Sequence, residues 1–203
     1  MDKGLSIEKE SFEIIDSITD LSRFTEAEKL IVRKLIHTTG DPEFAVLTRI
    51  HRLEAGIEAL RDGAPIITDV TMVTAGITKR YLGESGNKVM CFISEPEVIE
   101  RSKELNLTRA ETAVVYAAEK YPEAVYAIGN APTALLKLIE LTEAGKMNPV
   151  FVAGLPVGFV KAAESKELLM KTDIPHVSNI GAKGGSPCAA TVINGLLLLR
   201  AGL

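Results

Sequence analysis

His37 is the side chain in this sequence that is best placed for acid–base chemistry. It lies in the last turn of a predicted helix that opens with the capping box Thr25-Glu-Ala-Glu28. The carboxyl end of a helix favours a cation, so the imidazole is a candidate general acid near neutral pH. We expect its neighbours Thr38, Thr39 and Asp41 to bind or orient the ring. The alternative is a histidine that only caps its own helix end.

The other two histidines carry weaker signals. His51 falls in a predicted charged helix from about Thr48 to Asp62, and we interpret it as solvated surface. His176 follows Pro175 at the start of a predicted strand, and we interpret it as structural.

Arg109 is a candidate for binding a carboxylate. It lies in the first turn of a helix that the capping box Thr108-Arg-Ala-Glu111 opens. A cation there opposes the helix dipole, a local cost that natural sequences often tolerate for function. A guanidinium at that point could clamp a carboxylate through two hydrogen bonds. The alternative is a solvated arginine that pairs with Glu104 or Glu111.

Asp69 stands at the carboxyl end of a predicted strand, Pro65-Ile-Ile-Thr-Asp69. Parallel sheets place functional groups at this end of their strands. The alternative role is an N-cap for the short helical turn around Met72.

Three strand–loop–helix units follow one another in the second half of the chain. The strands are 124–128, 149–153 and 175–180, the glycine loops 129–133, 154–158 and 181–185, and the helices run to about 143, over 159–170 and over 186–200. Parallel units bring such loops to one sheet edge, so we expect one site there. Asn130 can cap the first of these helices, and Pro132 fits its first turn. Exposed helix N-termini predict an anionic ligand, and the alternative is that the loops are only efficient turns.

The remaining elements complete an α/β pattern. Two amphipathic helices, from Ser6 to about Ile18 and from Thr25 to Gly40, precede the first strand. Lys88-Val-Met-Cys-Phe-Ile93 is a further strand, and Glu95–Glu104 is helical by composition. We therefore predict a three-layer α/β/α fold with a mainly parallel sheet of about five strands, formed by residues 1–203 as a single domain.

Composition excludes several classes of protein. A net charge of −4, 5% aromatic residues and no Trp argue against binding nucleic acid. No run approaches the ~18 apolar residues of a membrane span and no signal-peptide pattern is visible, so we expect no membrane contact and a cytoplasmic location. Cys91 and Cys188 fit neither a disulfide framework nor a zinc site, and we interpret both as buried. We also expect no metal site and no cofactor, because no ligand set or nucleotide fingerprint appears.

A series of short motifs along nearly the whole chain resembles the precorrin-8X methylmutase family of cobalamin biosynthesis. The motifs are Ser11-Phe-Glu-Ile-Ile15, Leu35-Ile-His-Thr-Thr-Gly40, Asp69-Val-Thr-Met-Val73 with Gly76, Thr108-Arg109, Gly129-Asn-Ala-Pro-Thr-Ala-Leu135, Pro156-Val-Gly-Phe-Val160 with Ala163-Glu-Ser-Lys166, and Gly184-Gly-Ser186. The resemblance implies an isomerase that shifts a methyl group from carbon 11 to carbon 12 of ring C in precorrin-8X or cobalt-precorrin-8, giving hydrogenobyrinate or cobyrinate. It leaves open whether the substrate carries cobalt, although the Thr38-Thr-Gly-Asp41 turn looks more like members of the cobalt route. Any cobalt would arrive with the substrate.

The same resemblance implies roles for individual residues. His37 is the expected catalytic acid. The expected substrate-binding residues are Ser11, Asp69, Met72, Arg109, Asn130, Thr133, Gly158, Lys183, Gly185 and Ser186. Many family members carry arginine where this chain has Ala182, and Lys183 is a candidate to replace that charge.

The resemblance also implies a homodimer. We expect the region Ser6–Arg52 to bridge the two subunits, because its helices are not needed as crossovers between strands. Two other functions stay open at this point. One is a tetrapyrrole carrier that binds a corrinoid without converting it, and the other is a phosphate- or nucleotide-binding α/β protein.

Overall fold

The central element of the computed structural model, which describes residues 3–83 and 86–202, is a β-sheet. Its strands are β1 (Thr48–His51), β2 (Ile66–Thr68), β3 (Val89–Cys91), β4 (Val125–Ile128), β5 (Phe151–Gly154) and β6 (His176–Asn179). Within the described ranges the sheet has six strands in the order β1-β6-β5-β4-β2-β3. Strands β2 to β6 are parallel, and β1 pairs with β6 in the antiparallel direction.

Helices cover both faces of this sheet. They are α1 (Lys3–Ile18), α2 (Glu26–Thr39), α3 (Phe44–Leu47), α4 (Leu53–Arg61), α5 (Thr71–Gly76), α6 (Lys79–Leu82), α7 (Pro96–Glu104), α8 (Arg109–Lys120), α9 (Pro132–Glu143), α10 (Ala162–Leu169) and α11 (Ser186–Arg200). Both predicted capping boxes are confirmed. The side chains of Thr25 and Thr108 each accept a hydrogen bond from the backbone N–H of the third helical residue, a glutamate, and the carboxylate of that glutamate accepts from the backbone N–H of the threonine.

The predicted three-layer α/β/α fold is confirmed by the way the strands divide their side chains. In β4, Val125 and Ala127 join a buried cluster with α2, α4, α5 and α11. Their neighbours Tyr126 and Ile128 join a second cluster with α8, α9 and α10. All four side chains are at most 1% exposed, so the middle of the sheet is dry on both faces.

The sheet has one strand more than predicted. Thr48–His51 forms β1, and the helix predicted from about Thr48 begins only at Leu53. Between them Arg52 adopts a left-handed conformation with a φ of 51°, which interrupts any helix. The local charge pattern predicted a helix. The segment is a strand because it pairs with β6, which lies more than 120 residues away along the chain.

Helix α10 begins later than predicted, at Ala162 instead of Phe159. Lys161 stands before it with a φ of 61°, and residues 158–161 form a bent loop at the end of β5. The side chains of Phe159 and Val160 are 99% and 76% exposed. The apolar residues that favoured an earlier helix therefore belong to the loop.

Helix α2 reaches the carboxyl edge of the sheet through its packing on α11. A Cβ atom on Gly195 of α11 would lie 2.5 Å from Cδ1 of Ile31, so the two helices pack closely there and a larger residue would force the Ile31 side chain to move. Gly40 ends α2 in the left-handed region with a φ of 64°. The chain then enters β1 at Thr48, which pairs with Asn179 at the end of β6. His37 therefore lies near the edge where the parallel strands end.

Within residues 3–83 and 86–202, no helix is long and apolar enough to cross a membrane.

Candidate active site

His37 is exposed in the last turn of α2, and its ring is held by a residue from another helix. Nδ1 of His37 lies 2.7 Å from Oγ of Ser11 on α1. The ring of Phe12 meets the imidazole edge-on, with 6.2 Å between the ring centroids. Within the described part of the chain Ser11 is the one hydrogen-bonding partner of this ring, so Nε2 stays available to a ligand.

The residues expected to orient His37 are turned elsewhere, so this prediction is wrong. Thr38 bonds Thr191 of α11, with 2.8 Å between the two hydroxyl oxygens. The Thr39 hydroxyl donates to the backbone oxygen of Leu35, as threonines at helix ends commonly do. Asp41 binds a lysine instead, and the helix end is capped by the N–H of Gly40. The alternative that His37 caps its own helix is also wrong, because its Nδ1 contacts the hydroxyl of Ser11 and not a carbonyl of the helix end.

Two ion pairs fix α1 on α2 on either side of Ser11. Arg33 donates to both carboxylate oxygens of Asp16, at 2.7 and 2.8 Å. Lys34 donates to Glu8, one turn before Ser11. A bidentate pair and a second pair define the register of two neighbouring helices, so the position of Ser11 against His37 is fixed.

A cleft of about 320 Å³ lies between α1 and the end of α2, with the Ser11–His37 pair in its wall. Most of its lining is apolar. The lining residues are Ile7, Glu10, Ser11, Ile14, Ile15, Ile18, Ile36, His37, Gly40 and Pro42. The other residues predicted for the site do not line this cleft.

Lys183 is tied to the turn that follows His37. Its ammonium group binds the carboxylates of Asp41 and Glu43, the second at 2.7 Å. The hydrogen bond from Lys183 holds the pKa of Asp41 below its usual range, and the two carboxylates raise the pKa of Lys183. A lysine with two acidic partners is not a free cation, so in this structure it does not replace an arginine at Ala182.

Asp69 is buried, and its carboxylate organises the first glycine loop. Its two oxygens accept from the backbone N–H groups of Gly129, Asn130 and Ala131, at 2.7 to 3.1 Å. Burial raises the pKa of this carboxyl, and the three N–H donors oppose that shift. The alternative of Asp69 as an N-cap is wrong, because Val70 holds that position in α5.

The second and third glycine loops are joined by backbone hydrogen bonds. Gly158 donates to the backbone oxygen of Ala182 at 3.1 Å, and Gly185 donates to Leu155 at 2.8 Å. A Cβ atom on Gly129 would lie 2.7 Å from Cα of Ser186, so the first and third loops also touch. The prediction that these loops meet at one edge is confirmed. The N–H groups of Gly158 and Gly185 are not free for an anion, because each already donates to a backbone oxygen.

The remaining predicted residues lie along the same edge. Arg109 is exposed in the first turn of α8, and no acidic side chain of the described residues is within ion-pair distance of it. Thr108 next to it meets Thr133 of α9, with 3.2 Å between the hydroxyl oxygens. Met72 on α5 is 66% exposed, Asn130 is exposed, and Ser186 is buried. Asn130 does not cap α9, because Ala131 is the residue before that helix.

Comparison with known proteins places this geometry in a family. Residues 6–199 match the family model described as Precorrin-8X methylmutase. The chain belongs to the precorrin-8X methylmutase family. It is therefore an isomerase that moves a methyl group within its substrate.

Relatives with this methylmutase name cover nearly the full chain. The "Cobalt-precorrin-8 methylmutase" of Methanocaldococcus jannaschii is 40% identical over 96% of this chain and 93% of its own length. The "Precorrin-8X methylmutase" of Sinorhizobium sp. is 36% identical over 95% of this chain and 93% of its own length. A crystal structure of precorrin-8X methylmutase from Thermus thermophilus superimposes with a TM-score of 0.90 at 40% identity, covering 97% of this chain and 96% of that one.

Two residues near this methylmutase site were not predicted to have a role from the sequence. Thr191 lies in the middle of an apolar helix, and only the packing of α11 on α2 brings it to Thr38. Lys166 reads as part of a charged helix surface, yet it is 0% exposed beneath the third glycine loop. Its place in the Ala163-Glu-Ser-Lys166 motif was the only signal that could have pointed to it.

His51 lies at the amino edge of the methylmutase sheet, and the interpretation of this residue as solvated surface is wrong. Nε2 of His51 is buried, and no partner for it lies in the described part of the chain. His51 faces His176 across the β1–β6 pair, with 5.7 Å between the ring centroids. The structural interpretation of His176 is confirmed, since it is 2% exposed with Nδ1 2.7 Å from the backbone oxygen of Ile174.

The cysteines and the acidic side chains form no unusual cluster. Cys188 is buried as predicted, whereas Cys91 is only half-buried, and both are free thiols. Across the parts of the chain that the structure covers, no group of three or more His, Cys, Asp or Glu side chains could hold a metal ion.

Proposed function

We propose that this methylmutase shifts a methyl group from carbon 11 to carbon 12 of ring C in precorrin-8X or cobalt-precorrin-8, with His37 as the catalytic acid. The products are hydrogenobyrinate or cobyrinate. The observation that carries the proposal is the Ser11–His37 pair in an open cleft, in a chain whose relatives are named for this reaction. Family membership supports the proposed reaction, and the Ser11–His37 contact supports His37 as its acid.

The Ser11 contact suits a ring that gives up its proton at the other nitrogen. When Oγ of Ser11 accepts from Nδ1–H, the transferable proton of the imidazolium is the one on Nε2. After transfer to the ring C region the imidazole is neutral and Nδ1–H still donates to Ser11. The proton returns to Nε2 once the methyl group has moved, so the net change is an isomerisation. The acid thereby stabilises charge that develops during the shift.

The exposed polar groups along the carboxyl edge suit a substrate with several acidic side chains. Arg109 is the cation we propose for a substrate carboxylate, because it has no acidic partner among the described residues. Asn130, Thr133 and Met72 lie on the same rim. For Asp69 we propose an indirect role, since its buried carboxylate shapes the loop that presents Asn130.

Gly158, Gly185 and Ser186 belong to the same proposed substrate site through their loops. The contacts of Gly158 and Gly185 with Ala182 and Leu155 fix the shape of the rim. Lys183 joins that rim to the His37 turn through Asp41. We propose that these residues define the outline of the site, while Arg109 and the exposed side chains bind the substrate.

The cobalt form is the substrate we favour, because the Thr38-Thr-Gly-Asp41 turn looks more like members of the cobalt route. The names of the relatives do not separate the two forms, since those named cobalt-precorrin-8 methylmutase are 36–41% identical to this chain and those named precorrin-8X methylmutase are 36–40% identical. The cobalt ion belongs to that substrate and needs no ligand from the protein.

Turnover of the two substrate forms tests the proposal. The purified protein is mixed with excess precorrin-8X or excess cobalt-precorrin-8, and the absorption spectrum and product mass are followed. We expect a changed spectrum at unchanged mass, with more product than protein, and a faster reaction of the cobalt form. Tight binding without turnover would identify a carrier and contradict the proposal.

We also propose a homodimer joined through the region Ser6–Arg52. Ile7, Ile14 and Ile18 are 55–59% exposed on one face of α1 and line the His37 cleft. A second subunit on this face would bury the isoleucines and exclude water from the cleft. Light scattering should report about 44 kDa, twice the chain mass of 21.9 kDa. A fully active monomer at micromolar concentration would contradict this assembly.

A cytoplasmic location is part of the same proposal. Both cysteines are free, as expected for a protein kept in a reducing compartment. Cell fractionation tests it, and recovery of the protein with an oxidising extracellular fraction would contradict it.

A further inference from the structure

Lys166 is a buried lysine beneath the third glycine loop, and the reaction described above assigns it no role. It belongs to α10 and is 0% exposed. Its Nζ donates to the backbone oxygen of Lys183 at 2.5 Å and to Oδ1 of Asn179 at 3.3 Å. In the described ranges no carboxylate lies within ion-pair distance of it. The ammonium group is therefore bound only by neutral oxygens.

Such a residue destabilises the fold. A buried charge without an opposite charge loses its hydration and gains no ion pair in return, whereas a well-packed apolar side chain has no such cost. Burial lowers the pKa of Lys166 to about 8, so most of the population is still charged at neutral pH. The thiol of Cys188 nearby is no counter-ion, because burial raises its pKa to about 11. The position keeps a lysine where packing alone would favour an apolar residue.

The contacts of Lys166 converge on one carbonyl group. The side-chain amide of Asn179 donates to the same oxygen of Lys183, at 2.9 Å, and to Ile180. On its other side the loop is fixed at Leu155, where a Cβ atom on Gly184 would lie 2.4 Å from the backbone oxygen. Residue 183 is thus held from below by two donors and from the side by close backbone packing.

The side chain of the same residue reaches the turn that follows the helix carrying His37. Lys183 binds Asp41 and Glu43, and Asp41 follows Gly40, the residue that ends α2. The contacts run without a gap from Lys166 through the backbone and side chain of Lys183 to the turn after His37.

We propose that Lys166 is a positioning residue for His37, which it holds in place through the backbone of Lys183 and the Lys183–Asp41 ion pair. The kinetic part of this inference rests on the proposed methyl shift. Lys166 touches no substrate in this scheme. Its effect is on where the catalytic ring stands, so it acts on the chemical step and not on substrate affinity.

The kinetic test uses Lys166→Met, Lys183→Met and the double variant. Misplacement of a catalytic group by about 1 Å can lower a rate by about 100-fold, so for a smaller displacement we expect kcat to fall about tenfold in each single variant with KM within about twofold. The double variant should be no slower than the slower single variant, because both substitutions break one chain of contacts. Lys171→Met, an exposed lysine just beyond α10, is the matched control and should leave kcat unchanged.

A second readout does not need turnover. The ring signals of isotope-labelled His37, assigned with His37→Ala, should shift in Lys166→Met and in Lys183→Met but not in Lys171→Met. The signals of His51, at the other edge of the sheet, should stay unchanged in all of these variants. Lys183 is partly exposed, so Lys183→Met tests the second half of the chain of contacts even if the buried variant does not fold.

Several outcomes would overturn the inference. A Lys166→Met protein with a lower Tm but wild-type kcat and unshifted His37 signals would give Lys166 a purely structural role. Unchanged His37 signals in Lys183→Met would also overturn it, as would additive losses in the double variant. Wild-type protein that turns over neither substrate would instead contradict the proposed function, and the His37 signals alone would then decide the inference.

Discussion

The two edges of the sheet carry cavities that differ in size and in chemistry. The cleft at His37, near the carboxyl edge, has a volume of about 320 Å³, whereas a groove at the amino edge has about 850 Å³. The larger groove is lined by charged side chains of both signs, including Arg52, Glu58, Asp62 and Lys171, and by no histidine or cysteine. The smaller cleft holds an imidazole whose Nδ1 is fixed by Ser11. The presence of an oriented acid, and not the volume, therefore separates the candidate active site from the groove.

The edges differ in the same way in how they treat histidine. His37 is exposed with one nitrogen held and the other available, which suits proton transfer. His51 and His176 face each other at the amino edge, with buried ring atoms. A histidine in such a place affects stability, because a proton on it would be buried as well.

The largest effect that tests this comparison is expected from His37→Ala. Loss of the acid should lower kcat by about 10²–10⁴-fold, the usual contribution of a general acid, with little change in Tm because the side chain is exposed. Single-turnover absorption changes with excess protein would measure the chemical step. Wild-type turnover in this variant would leave the carboxyl edge without its catalytic group.

Arg109→Ala should give the next largest effect. A charge-assisted bond to a substrate carboxylate contributes roughly 1.5–3 kcal/mol, so corrinoid affinity should fall by one to two orders of magnitude while the Tm stays constant. Fluorescence or absorption titration with the product measures it. Arg61→Ala, at the end of α4, is the control cation. Equal losses in both variants would point to the overall charge of the protein and not to a specific contact.

Ser11→Ala should have a smaller effect that falls on the rate. One hydrogen bond that orients His37 is worth about 0.5–1.5 kcal/mol, which predicts a kcat lowered by roughly 2–13-fold. Ser11→Thr keeps the hydroxyl and should recover part of the rate. Ser17→Ala, on the same helix but bonded to its own backbone, is the matched control. A change in KM alone would instead favour the expected role of Ser11 in binding the substrate.

The smallest effect concerns stability at the amino edge. Burial, with a contribution from His51, lowers the pKa of His176 from its ordinary value. The unfolded chain therefore binds the proton more readily, so the stability is full above about pH 6.5 and is lost as the pH falls through the folded-state pKa. The Tm of the wild type should fall more between pH 7.5 and 5.5 than that of His176→Gln. Parallel curves for the wild type and His176→Gln would contradict this prediction.

Predictions made from local sequence were correct where the deciding forces are local. The two capping boxes need only residues within one helical turn, and the start of α11 at Ser186 follows from the glycines before it. The βα units from 124 to 200 were also found, because apolar strands followed by glycine loops have few other structures available. Strand β1 was missed, since an edge strand with mixed polarity differs little from a charged helix until its partner is known.

The sequence by itself determined the fold class, the position of His37 at a helix end, and the carboxyl edge as the place where the loops meet. Only the tertiary structure decided which groups touch there. Ser11 and His37 are 26 residues apart, and Asp69 lies 60 residues from the first loop N–H that it binds. Contacts between residues so far apart leave no periodic pattern in the sequence, because they depend on how whole helices pack. For the same reason the sequence did not predict that the N–H groups of Gly129, Gly158 and Gly185 are already bonded, since a donor takes whichever acceptor the packing brings to it.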